Sequence, residues 1–126
     1  MKTRYSDRVL ELFRTLPGAG APNAGPGRLT IGEAGSLEHG AWVRFEARVA
    51  SGRIVDCGFQ AWGCPHTLAA AALARIWLLA MQEGGAVQCD APRLARELEV
   101  PVAKMGRMLV VEDASKALLA QAARVQ

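Results

Sequence analysis

Three observations predict an α+β fold, a small antiparallel sheet with helices packed on one face. Residues 42–62 alternate apolar and polar side chains with a period of two, the period changes to 3.6 at Gly63–Thr67, and apolar residues at helical spacing occupy most of the chain beyond that point. Strands grouped early and helices grouped late favour segregated layers over alternating βαβ units. The 126 residues are expected to form a single domain, 1–126, large enough to bury roughly two-thirds of the surface of the unfolded chain.

The first element is a short amphipathic helix over Tyr5 to Leu16, with Val9, Leu10, Leu12 and Phe13 on its stripe and Ser6 or Thr3 as the cap. Pro17 to Gly27 holds three prolines, four glycines and nothing large and apolar, so it reads as a mobile loop without core material. A weak strand is expected around Leu29 to Ile31. In Trp42 to Val49 the apolar Val43, Phe45, Ala47 and Val49 alternate with Arg44, Glu46 and Arg48, which places one face in the core and the other in water. Ala50-Ser51-Gly52 has turn chemistry, and Arg53 to Trp62 resumes the alternation with Val55, Cys57, Phe59 and Ala61 inward, completing a hairpin.

Pro65 suits the first turn of a helix, and the Ala- and Leu-rich run Leu68 to Gln82 is apolar almost all round. A long buried helix is therefore expected to start within a residue or so of Cys64 and to stop at Gly84-Gly85. Asp90 can cap a helix over Pro92 to Leu98, closed by Pro101. From about Lys104 onward, Met108, Leu109, Ala114, Leu118 and Ala122 mark one side of a final helix.

Composition excludes several classes. With 51% hydrophobic and 21% charged residues the chain is neither disordered nor fibrous. Fifteen Lys and Arg against twelve Asp and Glu leave only +3, interspersed along the chain, so nucleic acid is not an expected partner. The longest apolar stretch, Leu68 to Met81, contains Arg75 and falls short of the roughly 20 residues that cross a bilayer. No membrane association is expected. Residues Met1 to Arg14 carry charges throughout with no apolar leader, and three cysteines cannot pair completely, so a cytoplasmic protein with free thiols is expected.

Cys64 is the residue most able to carry chemistry. A thiol at a strand-to-helix junction lies beside unpaired backbone N–H groups and the positive end of the helix dipole, which favour the thiolate that binds soft metals or accepts sulfur. The alternative is a buried cysteine acting as a small apolar filler. His66 is either a zinc or iron ligand beside it or a polar residue of the first helical turn, and His39 is either a ligand or a solvated loop residue. Cys57 reads as core filler, Cys89 as an incidental loop thiol, and Trp42, Trp62 and Trp77 as core and sheet-edge packing. Phosphate-loop, nucleophile-elbow and H-E-x-x-H patterns are missing, and no acid, base and nucleophile set assembles, so the chain is not expected to be an enzyme.

Taken together, these residues resemble the IscU/NifU N-terminal family of iron-sulfur cluster assembly scaffolds. Tyr5-Ser6-Asp7-Arg8-Val9 is similar to the start of that family's first helix, and Gly52, Ile54, Asp56, Phe59 and Gly63-Cys64 match its hairpin strand and cysteine corner. Leu94 to Leu98, Pro101, Lys104 and Glu112-Asp113-Ala114 match its later helices. The resemblance implies a scaffold that binds iron, zinc or an iron-sulfur cluster, with a cysteine desulfurase or other iron-sulfur assembly protein as partner. It carries over fully only at Cys64. The family's first cysteine and aspartate fall on His39-Gly40-Ala41, and its third cysteine with the preceding histidine falls where Gly106 and Arg107 stand. Cys64, His39 and His66 are then the candidate metal ligands, and Cys64 the candidate cofactor-binding residue. Arg107 cannot ligate a metal and opposes a cation nearby. Val100-Pro101-Val102-Ala103-Lys104 stands in place of the family's chaperone-docking segment. Two alternatives accompany this reading: a ligand-depleted protein-interaction module of the same fold, or a persulfide acceptor at Cys64 with His66 or Arg107 steadying the anion.

Overall fold

A computed structural model describes residues 5–80 and 89–125. Among them, β1 (Arg28–Ser36), β2 (Ala41–Ala50) and β3 (Arg53–Trp62) form an antiparallel sheet in the order β1-β2-β3. Helix α1 (Asp7–Thr15) precedes the sheet, and α2 (Pro65–Ala80), α3 (Ala91–Leu98), a 3-10 turn (Val102–Lys104) and α4 (Met105–Ala122) follow it. α2 packs on β3, α4 on β1 and β2, and α1 and α3 pack against the long helices. The expected α+β class and all the expected elements are present, with β1 longer than Leu29–Ile31. The Gly84-Gly85 stop lies outside the described residues.

The period of two in β2 is realised in full. Val43, Phe45, Ala47 and Val49 are buried, while Arg44, Glu46 and Arg48 lie on the open face. There Arg44 pairs with Glu46 at 3.6 Å, and the Trp42 indole N–H donates to Glu33 at 2.7 Å. In β3 the alternation departs from expectation near the turn. Arg48 pairs with Asp56 but Val49 pairs with Ile54, so Val55 bulges out of the ladder. Ile54 takes the core position at 6% exposure and Val55 is left 44% exposed. Trp62 stands opposite Trp42 on the open face and is 52% exposed, so it is not packed as expected, whereas Trp77 is buried.

Sequence also misjudged Pro17 to Gly27. Instead of a mobile loop, this segment is tied along the free edge of β3: the Gly20 amide donates to the Phe59 carbonyl at 2.7 Å and the Phe59 amide to the Gly18 carbonyl at 3.2 Å. The Asn23 amide adds a bond to Asp56 at 2.7 Å. An unpaired strand edge is a template for aggregation, and the absence of bulky side chains is what lets this backbone lie close enough to cover it. At the opposite edge, the Ile31 amide donates to the Gln121 side chain of α4 at 2.9 Å.

Helix starts follow the capping chemistry read from the sequence. Ser6 accepts from the Val9 amide at 3.2 Å and also donates to the Leu98 carbonyl at 2.8 Å, so one hydroxyl closes the start of α1 and the end of α3. Asp90 accepts from the Arg93 amide at 2.8 Å, and Glu112 of α4 accepts from the Ala91 amide at 2.7 Å. The helical stripes are narrower than expected: Val9, Leu12, Met108, Ala114 and Leu118 are buried, but Leu10, Phe13 and Leu109 face outward. Cys89 is no incidental loop thiol, since it is buried in the core with its S–H directed at the Ala74 carbonyl.

Candidate functional site

The β3–α2 corner is shaped by a glycine and a proline around a thiol. A side chain at Gly63 would meet the Cβ of Thr67 at 2.9 Å, so only glycine lets the strand turn directly into the helix. Pro65 then opens α2 without wasting an N–H. Cys64 is left at the N-cap, its carbonyl accepting from the Thr67 amide at 2.9 Å and the Leu68 amide at 3.2 Å. Its sulfur is half-buried and lies 3.7 Å from the Thr67 hydroxyl. Burial pushes the thiol pKa up, but the Thr67 amide and hydroxyl, the His66 amide and the charge of Lys104 together bring it below the ordinary value.

His66 behaves differently from a surface residue of a first helical turn. It is 2% exposed, neither ring nitrogen has a hydrogen-bond partner among the described residues, and the Tyr5 ring lies against it at a centroid distance of 4.8 Å. Burial lowers its pKa, and the charges of Lys104 and Arg107 lower it further. The folded protein therefore keeps His66 neutral at pH values where the unfolded chain begins to protonate it. With the folded pKa below the unfolded one, stability from this residue is complete above about pH 6.5 and declines as pH falls below that, at up to about 1.4 kcal/mol per pH unit. Thermal melts between pH 7.5 and 5 are expected to show a steeper loss in wild type than in His66→Phe; parallel curves would show that the imidazole does not titrate between the two states.

His39 lies in the exposed β1–β2 turn, its Nδ1 2.7 Å from the Ser36 hydroxyl. The Arg107 guanidinium of α4 reaches the same turn, coming within 3.6 Å of where a Cβ on Gly40 would stand. Arg107 Nε is buried without a hydrogen-bond partner among the described residues. Thus the β1–β2 turn and the β3–α2 corner are both reached by charges from the start of α4, yet no group of three or more His, Cys, Asp or Glu side chains among the described residues is arranged to hold a metal ion. Cys64, His39 and His66 do not form such a group. Sequence reading missed two contributors: Thr67, whose signal is a hydroxyl three residues beyond the N-cap, and the charge of Lys104 at the sulfur, for which the sequence carries no local signal.

The profile of the NifU-like N-terminal domain family matches residues 4–125. The chain belongs to that family. NifU-like relatives include a protein of Haemophilus influenzae named iron-sulfur cluster assembly scaffold protein IscU, 27% identical over 119 residues that cover 92% of this chain and 93% of the relative. A second, the protein of the same name in Azotobacter vinelandii, is 28% identical over 114 residues, covering 90% of this chain and 89% of the relative. A Drosophila melanogaster relative named iron-sulfur cluster assembly enzyme IscU is 27% identical over 117 residues, covering 92% and 76%. Among solved structures, a candidate iron-sulfur cluster assembly scaffold protein for the SUF system of Fervidobacterium islandicum superposes with a TM-score of 0.66 at 15% identity, covering 91% of this chain and 96% of that one. That match establishes a shared NifU-like fold. No helix among the described residues is long and apolar enough to cross a membrane.

Proposed function

We propose that this chain serves iron-sulfur cluster assembly as a scaffold-like protein whose point of cargo attachment is Cys64. The observation that carries this reading is the half-exposed Cys64 sulfur at the start of α2, supplied with the amide and hydroxyl of Thr67 and the amide of His66, in a chain of the NifU-like family. The relatives named as assembly scaffolds support the process. A cysteine desulfurase or another assembly protein in a reducing cytoplasm is the partner this reading implies.

The cargo arm that fits these residues best is sulfur. Iron, zinc or a cluster would draw on Cys64 with His66 and His39, but His66 is sealed beneath Tyr5, His39 faces solvent against Ser36, and the charges of Lys104 and Arg107 oppose a cation. A thiolate or persulfide on Cys64 is stabilised by the charge of Lys104. The test uses the reduced protein under anaerobic conditions, in one arm with a cysteine desulfurase and cysteine, in the other with iron and sulfide. Cys64 is expected to gain sulfur, read by mass spectrometry, and any bound iron is expected to depend on it; Cys64→Ala should lose both. Equal sulfur and iron in wild type and Cys64→Ala would overturn the assignment.

A further inference from the structure

We propose that the cleft between residues 23–26 and the open face of the sheet binds a small monocarboxylate, gripped by the guanidinium of Arg48. The site goes beyond the proposed function, because it lies beside the β2–β3 turn, at the end of β3 remote from Cys64. From Asn23, which bonds to Asp56 of β3, the chain crosses the open face to Gly27, where β1 is about to begin. On the way it passes over Arg48. A Cβ on Gly25 would stand 3.5 Å from Arg48 Nε, and one on Gly27 would stand 3.3 Å from Arg48 Cγ and 2.9 Å from the Val49 carbonyl oxygen. Gly27 also holds a φ of +106°, so only glycine lets the backbone come this close. What remains between segment and sheet is an open cleft of about 390 Å³ lined by residues 23–26, Arg48, Val55 and Asp56. Small-molecule sites occupy about 300–1,000 Å³.

Charge selects the ligand. Arg48 Nη2 is buried and has no hydrogen-bond partner among the described residues. Asp56 stands opposite Arg48 in the ladder, but its oxygens are committed elsewhere: Oδ2 accepts from the Asn23 amide at 2.7 Å, and Oδ1 accepts from the Cys57 amide at 2.9 Å and lies 3.8 Å from Arg75 Nη2. Glu46, two residues before Arg48 on the same face, is held by Arg44 at 3.6 Å. Arg75 therefore matches Asp56, Arg44 matches Glu46, and the guanidinium of Arg48 is left as one unbalanced positive charge. A dry, unpaired guanidinium N–H is costly, and a carboxylate satisfies it with charge-assisted, bidentate bonds. One net charge suits a monoanion over a phosphate dianion, which Asp56 would repel. Pro26 and the bulged Val55, 44% exposed beside the cation, offer apolar contact to a short branched tail.

The full chain is titrated with isovalerate and followed by amide NMR. Shifts are expected to concentrate on the amides of Asn23, Ala24, Gly25, Arg48 and Asp56, with a dissociation constant on the order of 1 mM, as suits a ligand of few atoms held by one charged pair. Arg48→Gln, which keeps the aliphatic stem, should weaken binding by about tenfold or more. Val55→Asp leaves Arg48 in place, puts a carboxylate into the cleft from an exposed position and should weaken binding as much. Neutral isovaleramide should leave these amides unmoved, and phosphate should bind more weakly than isovalerate. Wild-type affinity in either variant, an equal response to acid and amide, or no shift up to about 50 mM ligand would overturn the proposal. Tighter binding of phosphate would overturn the choice of a monocarboxylate. Neither result bears on sulfur or iron at Cys64, so this inference and the proposed function stand or fall separately.

Discussion

Native protein treated with iodoacetamide at pH 8 is expected to be alkylated at Cys64 alone. Thiolate is the reacting form, and the three environments separate the thiols widely. Burial pushes Cys57 up to about 12 and Cys89 up to about 11, while Cys64 falls below its ordinary value. At pH 8 a pKa near 12 leaves roughly one thiol in ten thousand ionised, and a pKa near 11 roughly one in a thousand, against at least about a tenth for an ordinary cysteine. Cys64 should therefore react roughly a thousandfold faster than Cys57 and a hundredfold faster than Cys89, before steric closure of the core widens both gaps. Quenched time points resolved by peptide mass spectrometry read all three rates in one sample. Comparable rates at Cys57 or Cys89 would mean that the core opens on the same timescale and that selectivity at the corner has another origin.

Gly32→Ala is expected to be strongly destabilising. α4 lies directly on β1 at this residue: an added Cβ would stand 2.6 Å from the Ala114 carbonyl oxygen and would collide with the Leu118 backbone. Both obstacles are main chain inside a helix, so no side chain can rotate away, and the helix must lift off the strand. Overpacking of this kind costs about 3 kcal/mol, which for a domain of this length lowers the melting temperature by roughly 10 °C. An unchanged melting temperature would show that α4 does not make this contact.

Periodicity made the hairpin and the helices legible because each depends on side chains a few residues apart. Val43, Phe45, Ala47 and Val49 can face the core only as a strand, and the change of period at Gly63-Cys64-Pro65 places a thiol at a helix entrance whatever the rest of the chain does. Where the reading failed, a non-local bond was responsible. The bulge at Val55 arises from how Val49 pairs across the turn, and the Pro17 to Gly27 segment is held by Phe59, some forty positions away. Neither event leaves a mark in local composition.

The candidate site divides the same way. That Cys64 caps α2 was settled by its neighbours in the chain, since strand, glycine and proline leave the thiol no other place. Whether His66 would be solvated or sealed depended on Tyr5, just before α1, coming to lie against it, and the sign of charge around the sulfur depended on where the 3-10 turn carrying Lys104 came to rest. Short-range patterning selects local conformation because adjacent side chains share one backbone geometry. Desolvation and Coulomb forces act across space, so only the packed tertiary structure could decide that this corner is partly dry and has a positive charge beside its thiol.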